Sequence, residues 1–233
     1  MIPLVVGNKP KSVIAEAYRT LRTNLQFSTK DDNIKRILIT SAVPMEGKST
    51  TASNIALTMS QAGKKVMLID CDLRKPSIHK YFAMKNNVGL GNMILEGTSY
   101  EKVLQKHTEN LHVITAGKVV FNPAEILNTE FLNKTLDHIQ KNYDYIFIDT
   151  PPVTVVTDAQ IMATACQGVI LVISSGESKK DMCKRAIELL NKVNANILGV
   201  VLNKVRGNFH EYYENYHKGH VKNNKKEKVI DEV

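Results

Sequence analysis

The sequence predicts an α/β domain: a mostly parallel central sheet with helices on both faces, followed by a flexible C-terminal tail. Three observations carry this. Apolar runs of strand length recur at 36–41, 66–70, 145–149, 168–173 and 197–202, and several are separated by helix-length segments. That alternation gives parallel strands joined by right-handed crossovers. Two of the runs end in aspartate, Asp70 and Asp149, at the strand ends where open parallel sheets bind ligands.

With 233 residues and 43% apolar content the chain is long enough for one domain with a sizeable core. No apolar run is long enough to span a membrane, and the N-terminus lacks the basic start and apolar length of a signal peptide, so a cytoplasmic location is expected. Cys71, Cys166 and Cys183 have neither metal nor redox spacing and are expected reduced. In that compartment the Asn133-Lys134-Thr135 triplet is not a glycosylation site. The net charge is +8, but lysines 218, 222, 225, 226 and 228 crowd the C-terminus. With no tryptophan and no strand-borne aromatic cluster, nucleic acid is not the expected partner. A solvated basic tail is the first reading, and contact with anionic lipid the second.

Residues 1–11, with Pro3, Gly7 and Pro10, read as a loop-like arm. Ser12 is a plausible N-cap for a helix to about Phe27, with Ile14, Ala17, Tyr18, Leu21 and Leu25 on one side. This helix also carries Glu16, Arg19 and Arg22, three residues apart. Such a triplet either pairs within the helix or presents a charged stripe to another copy of the chain.

The strand at 36–41 leads into Ala42-Val43-Pro44-Met45-Glu46-Gly47-Lys48-Ser49-Thr50, and a helix follows to Gln61, stopped by Gly63. Strand, tight turn and a helix opening on Gly-Lys-Ser is the context of a phosphate-binding loop. Backbone N–H groups of residues 42–50 and the helix N-terminus would cradle phosphate oxygens. Lys48 would neutralise the β- and γ-phosphates, and the Ser49 hydroxyl would sit on Mg²⁺. Two departures from the usual loop are Ala42 in place of the first glycine and Pro44, which removes one N–H.

The next strand runs into Asp70-Cys71-Asp72-Leu73-Arg74-Lys75-Pro76. A period of two puts Asp70 and Asp72 on one side if the extended backbone continues. The alternative is a pair of carboxylates capping a turn before Pro76. Residues 79–97 read as a loop and short helix. Gly89-Leu90-Gly91-Asn92 has no preceding strand, so it is not a dinucleotide motif. Residues 111–115 read as a strand and 123–127 and 130–140 as helices. The strand at 145–149 ends in Asp149, placed to hold Mg²⁺ directly or through water. Strand, helix and strand follow at 168–173, 179–193 and 197–202. Beyond Arg206 and Gly207 periodicity stops, and Tyr212, Tyr213 and Tyr216 stand beside acids in a polar tail predicted to be mobile. His210, His217 and His220 there lack the fixed scaffold a metal site needs. The chain thus divides into 1–30 (arm and helix), 31–207 (core) and 208–233 (tail).

Taken together these motifs resemble the bacterial tyrosine kinases (BY-kinases) of capsule and exopolysaccharide export, in the form made as a separate cytoplasmic protein (CapB-type). The resemblance implies a P-loop NTPase fold. Residues 42–49 are similar to the family's Walker A motif, which tolerates alanine first; 66–72 resemble its Walker A′ motif, and 146–149 its Walker B. Glu16, Arg19 and Arg22 match its Glu-x-x-Arg-x-x-Arg oligomerisation motif, and Tyr212, Tyr213 and Tyr216 its phosphorylated tail cluster. It also implies ATP as substrate with Mg²⁺, held by Ser49 with Asp149 and Asp70. Asn203 and Arg206 would lie near the adenine. A tyrosine hydroxyl, with a pKa of about 10, needs a carboxylate to take its proton. Asp70 or Asp72 fills that role, Asp70 being the first choice. The resemblance implies a homo-oligomeric ring that trans-phosphorylates neighbouring tails, and a transmembrane adaptor that recruits and activates it at the inner face of the membrane. The runner-up is a deviant-Walker partition-type ATPase, whose signature lysine would stand where this chain has Val43. A nucleotide-sensing module without transfer is a third reading.

Overall fold

The computed structural model describes residues 2–29 and 34–205; Arg206, Tyr212, Tyr213 and Tyr216 lie outside the described residues. In chain order the elements are α1 (Val5–Asn8), α2 (Val13–Thr29), β1 (Arg36–Ser41), α3 (Lys48–Gln61), β2 (Val66–Asp70), α4 (Ile78–Phe82), α5 (Leu90–Glu96), α6 (Tyr100–Val103), β3 (Leu104–Lys106), β4 (Leu111–Ile114), α7 (Pro123–Leu127), α8 (Glu130–Gln140), β5 (Tyr145–Asp149), α9 (Asp158–Thr164), β6 (Gly168–Ser174), α10 (Lys180–Asn191) and β7 (Ile197–Asn203).

The seven strands form one sheet in the order β3-β4-β2-β5-β1-β6-β7. All neighbours are parallel except β3, which runs antiparallel to β4 at one edge. The strand period of two divides the core between the two faces. On β1, Leu38 belongs to one cluster with Met67, Ile69, Ile146, Ile148 and Leu171, beneath α5, α8, α9 and α10. Its neighbours Ile37 and Ile39 belong to the other, with Leu68, Phe147, Ile170 and Val172, beneath α1 to α4. Burial on both faces explains why the central strands read as unbroken apolar runs.

The expected strands and helices are all present, with ends shifted by up to two residues. The Ser12 Oγ accepts the Ala15 N–H at 3.2 Å, as an N-cap to α2 does. The loop-like arm is corrected in part: residues 5–8 form a helical turn whose Val6 N–H donates to Asn54 of α3 at 3.2 Å. The segments α6, β3 and α9 were not anticipated. Among the described residues no helix is long and apolar enough to cross a membrane.

What this architecture positions is one rim of the sheet. The register sets Asp70 beside Asp149 at the ends of β2 and β5, and Asp149 beside Ile39 of β1, two residues before the strand runs out into the loop at 42–47.

Candidate active site

The loop between β1 and α3 turns through two left-handed residues, Met45 (φ 68°) and Gly47 (φ 90°). Only the second position excludes a side chain on space as well as on φ: a Cβ on Gly47 would lie 2.1 Å from the Asn203 Nδ2. That amide donates to the Glu46 carbonyl at 2.9 Å, so the end of β7 holds the loop from below. Ala42 is buried and is not among the residues of positive φ, which is why alanine serves where the usual loop has glycine. Its carbonyl accepts the Thr154 hydroxyl at 2.6 Å. Pro44 is exposed at the crest of the loop. Gly47 is the N-cap of α3, and among the described residues no side chain caps that helix end, which leaves first-turn N–H groups for an anion.

Lys48, Ser49, Asp72 and Asp149 converge at this helix end. The Lys48 Nζ lies 2.9 Å from an Asp72 oxygen, 3.0 Å from the Ser49 Oγ and 3.6 Å from Asp149. The Ser49 hydroxyl donates to Asp149 Oδ2 at 2.6 Å, while Asp149 Oδ1 is buried with no hydrogen-bond partner among the described residues. Burial pushes the Asp149 carboxyl above the usual carboxylate range, against the pull of Lys48. Burial disfavours the Lys48 ammonium, but Asp149 and Asp72 outweigh it and its pKa is raised. An orphaned carboxylate oxygen beside a serine hydroxyl, both hard oxygen donors, suits Mg²⁺. Ser49 and Asp149 are the residues that would hold it.

Of the two readings of the acidic pair after β2, the turn is the one found, since the strand stops at Asp70. Asp70 Oδ1 accepts the Asp72 N–H at 3.1 Å, and Oδ2 accepts those of Ser77 and Ile78 at 3.1 and 3.0 Å. Asp72 Oδ1 accepts the Lys75 N–H at 2.9 Å and its other oxygen faces Lys48. Both carboxylates therefore brace the turn around Pro76, and Asp72 alone also reaches the lysine. The Asp70 oxygens are taken up by backbone N–H groups, so as a metal ligand it is less well placed than Ser49 and Asp149. Burial and the neighbouring Asp149 push the Asp70 carboxyl up to about 8.

The model of the NUBPL iron-transfer P-loop NTPases (ParA) matches residues 33–231. The tyrosine-protein kinase YwqD of Bacillus subtilis is 41% identical, over 91% of this chain and 90% of its own. The putative tyrosine-protein kinase CapB of Staphylococcus aureus is also 41% identical, over 91% and 95%. The chain belongs to the bacterial tyrosine-protein kinases. The crystal structure of the chimerical protein CapA2B2 superposes with a TM-score of 0.83 at 38% identity, covering 88% of this chain and 90% of that one. The bacterial tyrosine kinase fold, a P-loop NTPase sheet with the loop at the end of β1, is thus shared along nearly the whole domain.

Within this kinase fold some residues stand where the sequence alone did not put them. Arg74 bonds through Nε and Nη2 to the buried carboxylate of Asp158, each at 3.0 Å, tying the turn after β2 to α9. Asp158 escaped notice because nothing in its neighbourhood marks it beyond an acid in the first turn of a short helix. Thr154 and Ser178, which also bond to the loop, carry no motif at all. On α2, Arg19 bonds to Glu16 at 2.7 Å within the same helix and to the Pro10 carbonyl at 2.5 Å. Arg22 has a buried Nε without a partner among the described residues.

Proposed function

We propose that the protein is an ATP-dependent protein-tyrosine autokinase. In a ring of copies, each would phosphorylate Tyr212, Tyr213 and Tyr216 of a neighbour, and the cycle would regulate capsule and exopolysaccharide synthesis and export. The observation that carries this is the Lys48 ammonium held between Asp72, Asp149 and Ser49 at the N-terminus of α3. Loop N–H groups between residues 42 and 50, with Lys48, would bind the phosphates of ATP, and Asn203 and Arg206 would border the adenine. Mg²⁺ would supply charge neutralisation at the phosphates. The acceptor tyrosine oxygen attacks the γ-phosphorus, the bond to the β-phosphate oxygen breaks, and ADP leaves. Asp70 or Asp72 takes the phenolic proton: Asp72 keeps an oxygen turned toward Lys48, while Asp70, raised to about 8, must first lose a proton of its own. Asp72 orients Lys48 toward the charge that develops on the transferring group.

Glu16, Arg19 and Arg22 on α2 would hold the ring together, although in a single chain Arg19 already has partners of its own. A transmembrane adaptor would bring the kinase to the inner face of the membrane and activate it. The competing reading, a partition-type ATPase switch, lacks its signature lysine, since Val43 stands there.

Phosphotyrosine detection after incubation with ATP and Mg²⁺, with and without an adaptor's cytoplasmic peptide, tests the proposal. The parent protein labels, Lys48→Met does not, and Lys48→Met keeps the parent's circular dichroism. Asp70→Asn loses transfer more completely than nucleotide binding. Nucleotide consumption without any labelled tyrosine in the parent would replace the kinase with an ATPase switch.

A further inference from the structure

Glu46 presents a paradox, a buried carboxylate inside a loop built to receive phosphates; its residue is only 2% exposed. A buried charge is costly unless it is bonded, and this one is bonded on both oxygens. Oε2 accepts the Val43 N–H at 2.8 Å, closing the loop across its own crest. Oε1 accepts the hydroxyl of Ser178 from the turn between β6 and α10. Ser178 is itself fixed, because its Oγ accepts the Ser174 N–H at 2.8 Å. The backbone of Glu46 is held as well, through the Asn203 amide on its carbonyl at 2.9 Å. On either side of this residue stand Met45 and Gly47 at φ 68° and 90°, a shape that persists only where the surroundings over-determine it.

We infer that Glu46 and Ser178 form a positioning brace that holds the phosphate loop in its nucleotide-binding shape without contacting the reacting atoms. A further connection runs outward from it. The Ser174 hydroxyl donates to Glu177 at 2.9 Å, and Lys204, just past β7, donates to the same Glu177 oxygen at 2.7 Å. The brace and the root of the C-terminal segment are therefore fastened to one turn. This inference rests on the loop being the phosphate site of the proposed kinase, and its test reads nucleotide affinity rather than tyrosine transfer.

The test is titration of purified full-length protein with Mg²⁺-ADP by calorimetry, for the parent, Glu46→Gln, Glu46→Ala, Ser178→Ala and the Glu46→Ala/Ser178→Ala double variant. The parent binds. Glu46→Ala binds about tenfold more weakly, as expected for losing two charge-assisted hydrogen bonds. Glu46→Gln, whose amide oxygen still accepts, stays within about threefold of the parent. The double variant is no weaker than Glu46→Ala alone, because the two residues act through one interaction. Should Glu46→Ala fail to fold, Ser178→Ala must by itself weaken binding by about threefold with an unchanged melting temperature. Parent-like affinity in the folded Glu46→Ala variant, or in Ser178→Ala where Glu46→Ala does not fold, overturns the brace. So does full additivity in the double variant, or a loss in Glu46→Gln equal to that in Glu46→Ala. A parent that binds no nucleotide would overturn the kinase reading instead.

Discussion

Asp70 is fully buried, accepts three backbone N–H bonds, and has its carboxyl pushed up to about 8 by desolvation first and by the charge of Asp149 second. Its ordinary value is 3.8, so between those two values the folded chain keeps a proton that the unfolded chain has released. Stability changes with pH as the protons bound unfolded minus those bound folded, so this group makes it fall as pH rises through the window. Asp149, raised for the same first reason, adds a contribution of the same sign. Burial lowers the pKa of His79, His107 and His112, which act with the opposite sign, so the Asp70 share is read by difference. From pH 5 to pH 8 the melting temperature of nucleotide-free parent should fall relative to that of Asp70→Asn, and an equal pH dependence in the two would refute the account. Lys48, Ser49, Asp70, Asp72 and Asp149 were legible in the sequence because each stands at a strand end or loop whose own pattern marks it. Asp158, Ser178 and Thr154 were not. Their partners Arg74, Glu46 and Ala42 lie 84, 132 and 112 positions away, and a pairing across such a distance leaves no local pattern.

Among the elements, the central strands and α8 matched their patterns closely, because burial on two faces or on one stripe writes itself into the residue order. Four elements escaped. The strand β3 has three residues and pairs only at an edge; α1, α6 and α9 are too short for a period to emerge. The helix α3 was read from the spacing of Ile55, Leu57 and Met59 and from its stop at Gly63, although Thr51, Ser53, Asn54, Thr58 and Ser60 are buried too and leave no exposed stripe. The helix α2 raises the opposite question, what its charged residues are for. Glu16 and Arg19 pair within the helix with side chains 45% and 32% exposed, a contact worth roughly 0.5 kcal/mol at most. For a domain of this size that is about 1–2 °C in melting temperature. If the pair serves only its own helix, Arg19→Ala changes little else. If α2 is the ring contact, Arg19→Ala keeps a melting temperature within about 2 °C of the parent yet shifts the protein to smaller species in light scattering. An unchanged mass distribution would remove α2 from the interface.

For the whole molecule the decisive fact is where the chain leaves the sheet. Strand β7 is the edge strand opposite β3, and its last residue, Asn203, is bonded to the phosphate loop, so the C-terminal segment begins at the chain's own candidate active site. Between Asn203 and Tyr216 the backbone spans at most about 45 Å, a reach that would allow contact with a neighbour in the proposed ring. Each transferred phosphate adds about −1.5 to −2 charges. Three of them would take a chain of net charge +8 to about +2 to +3.5 and concentrate the change in one short segment. In the proposed ring, phosphorylated tails brought together would repel one another, and such a tail would no longer suit a pocket that already holds Asp70, Asp72 and Asp149. Assembly should therefore favour transfer, and transfer should favour release. Light scattering after incubation with ATP and Mg²⁺ should show the parent falling to smaller species while the Tyr212/Tyr213/Tyr216→Phe variant stays assembled. High salt should restore part of the phosphorylated assembly, because at about 1 M the screening length drops to roughly 3 Å. Phosphorylated protein that remained fully assembled at low salt would break the link between charge and release, and would leave the ring as a fixed scaffold rather than one turn of a cycle.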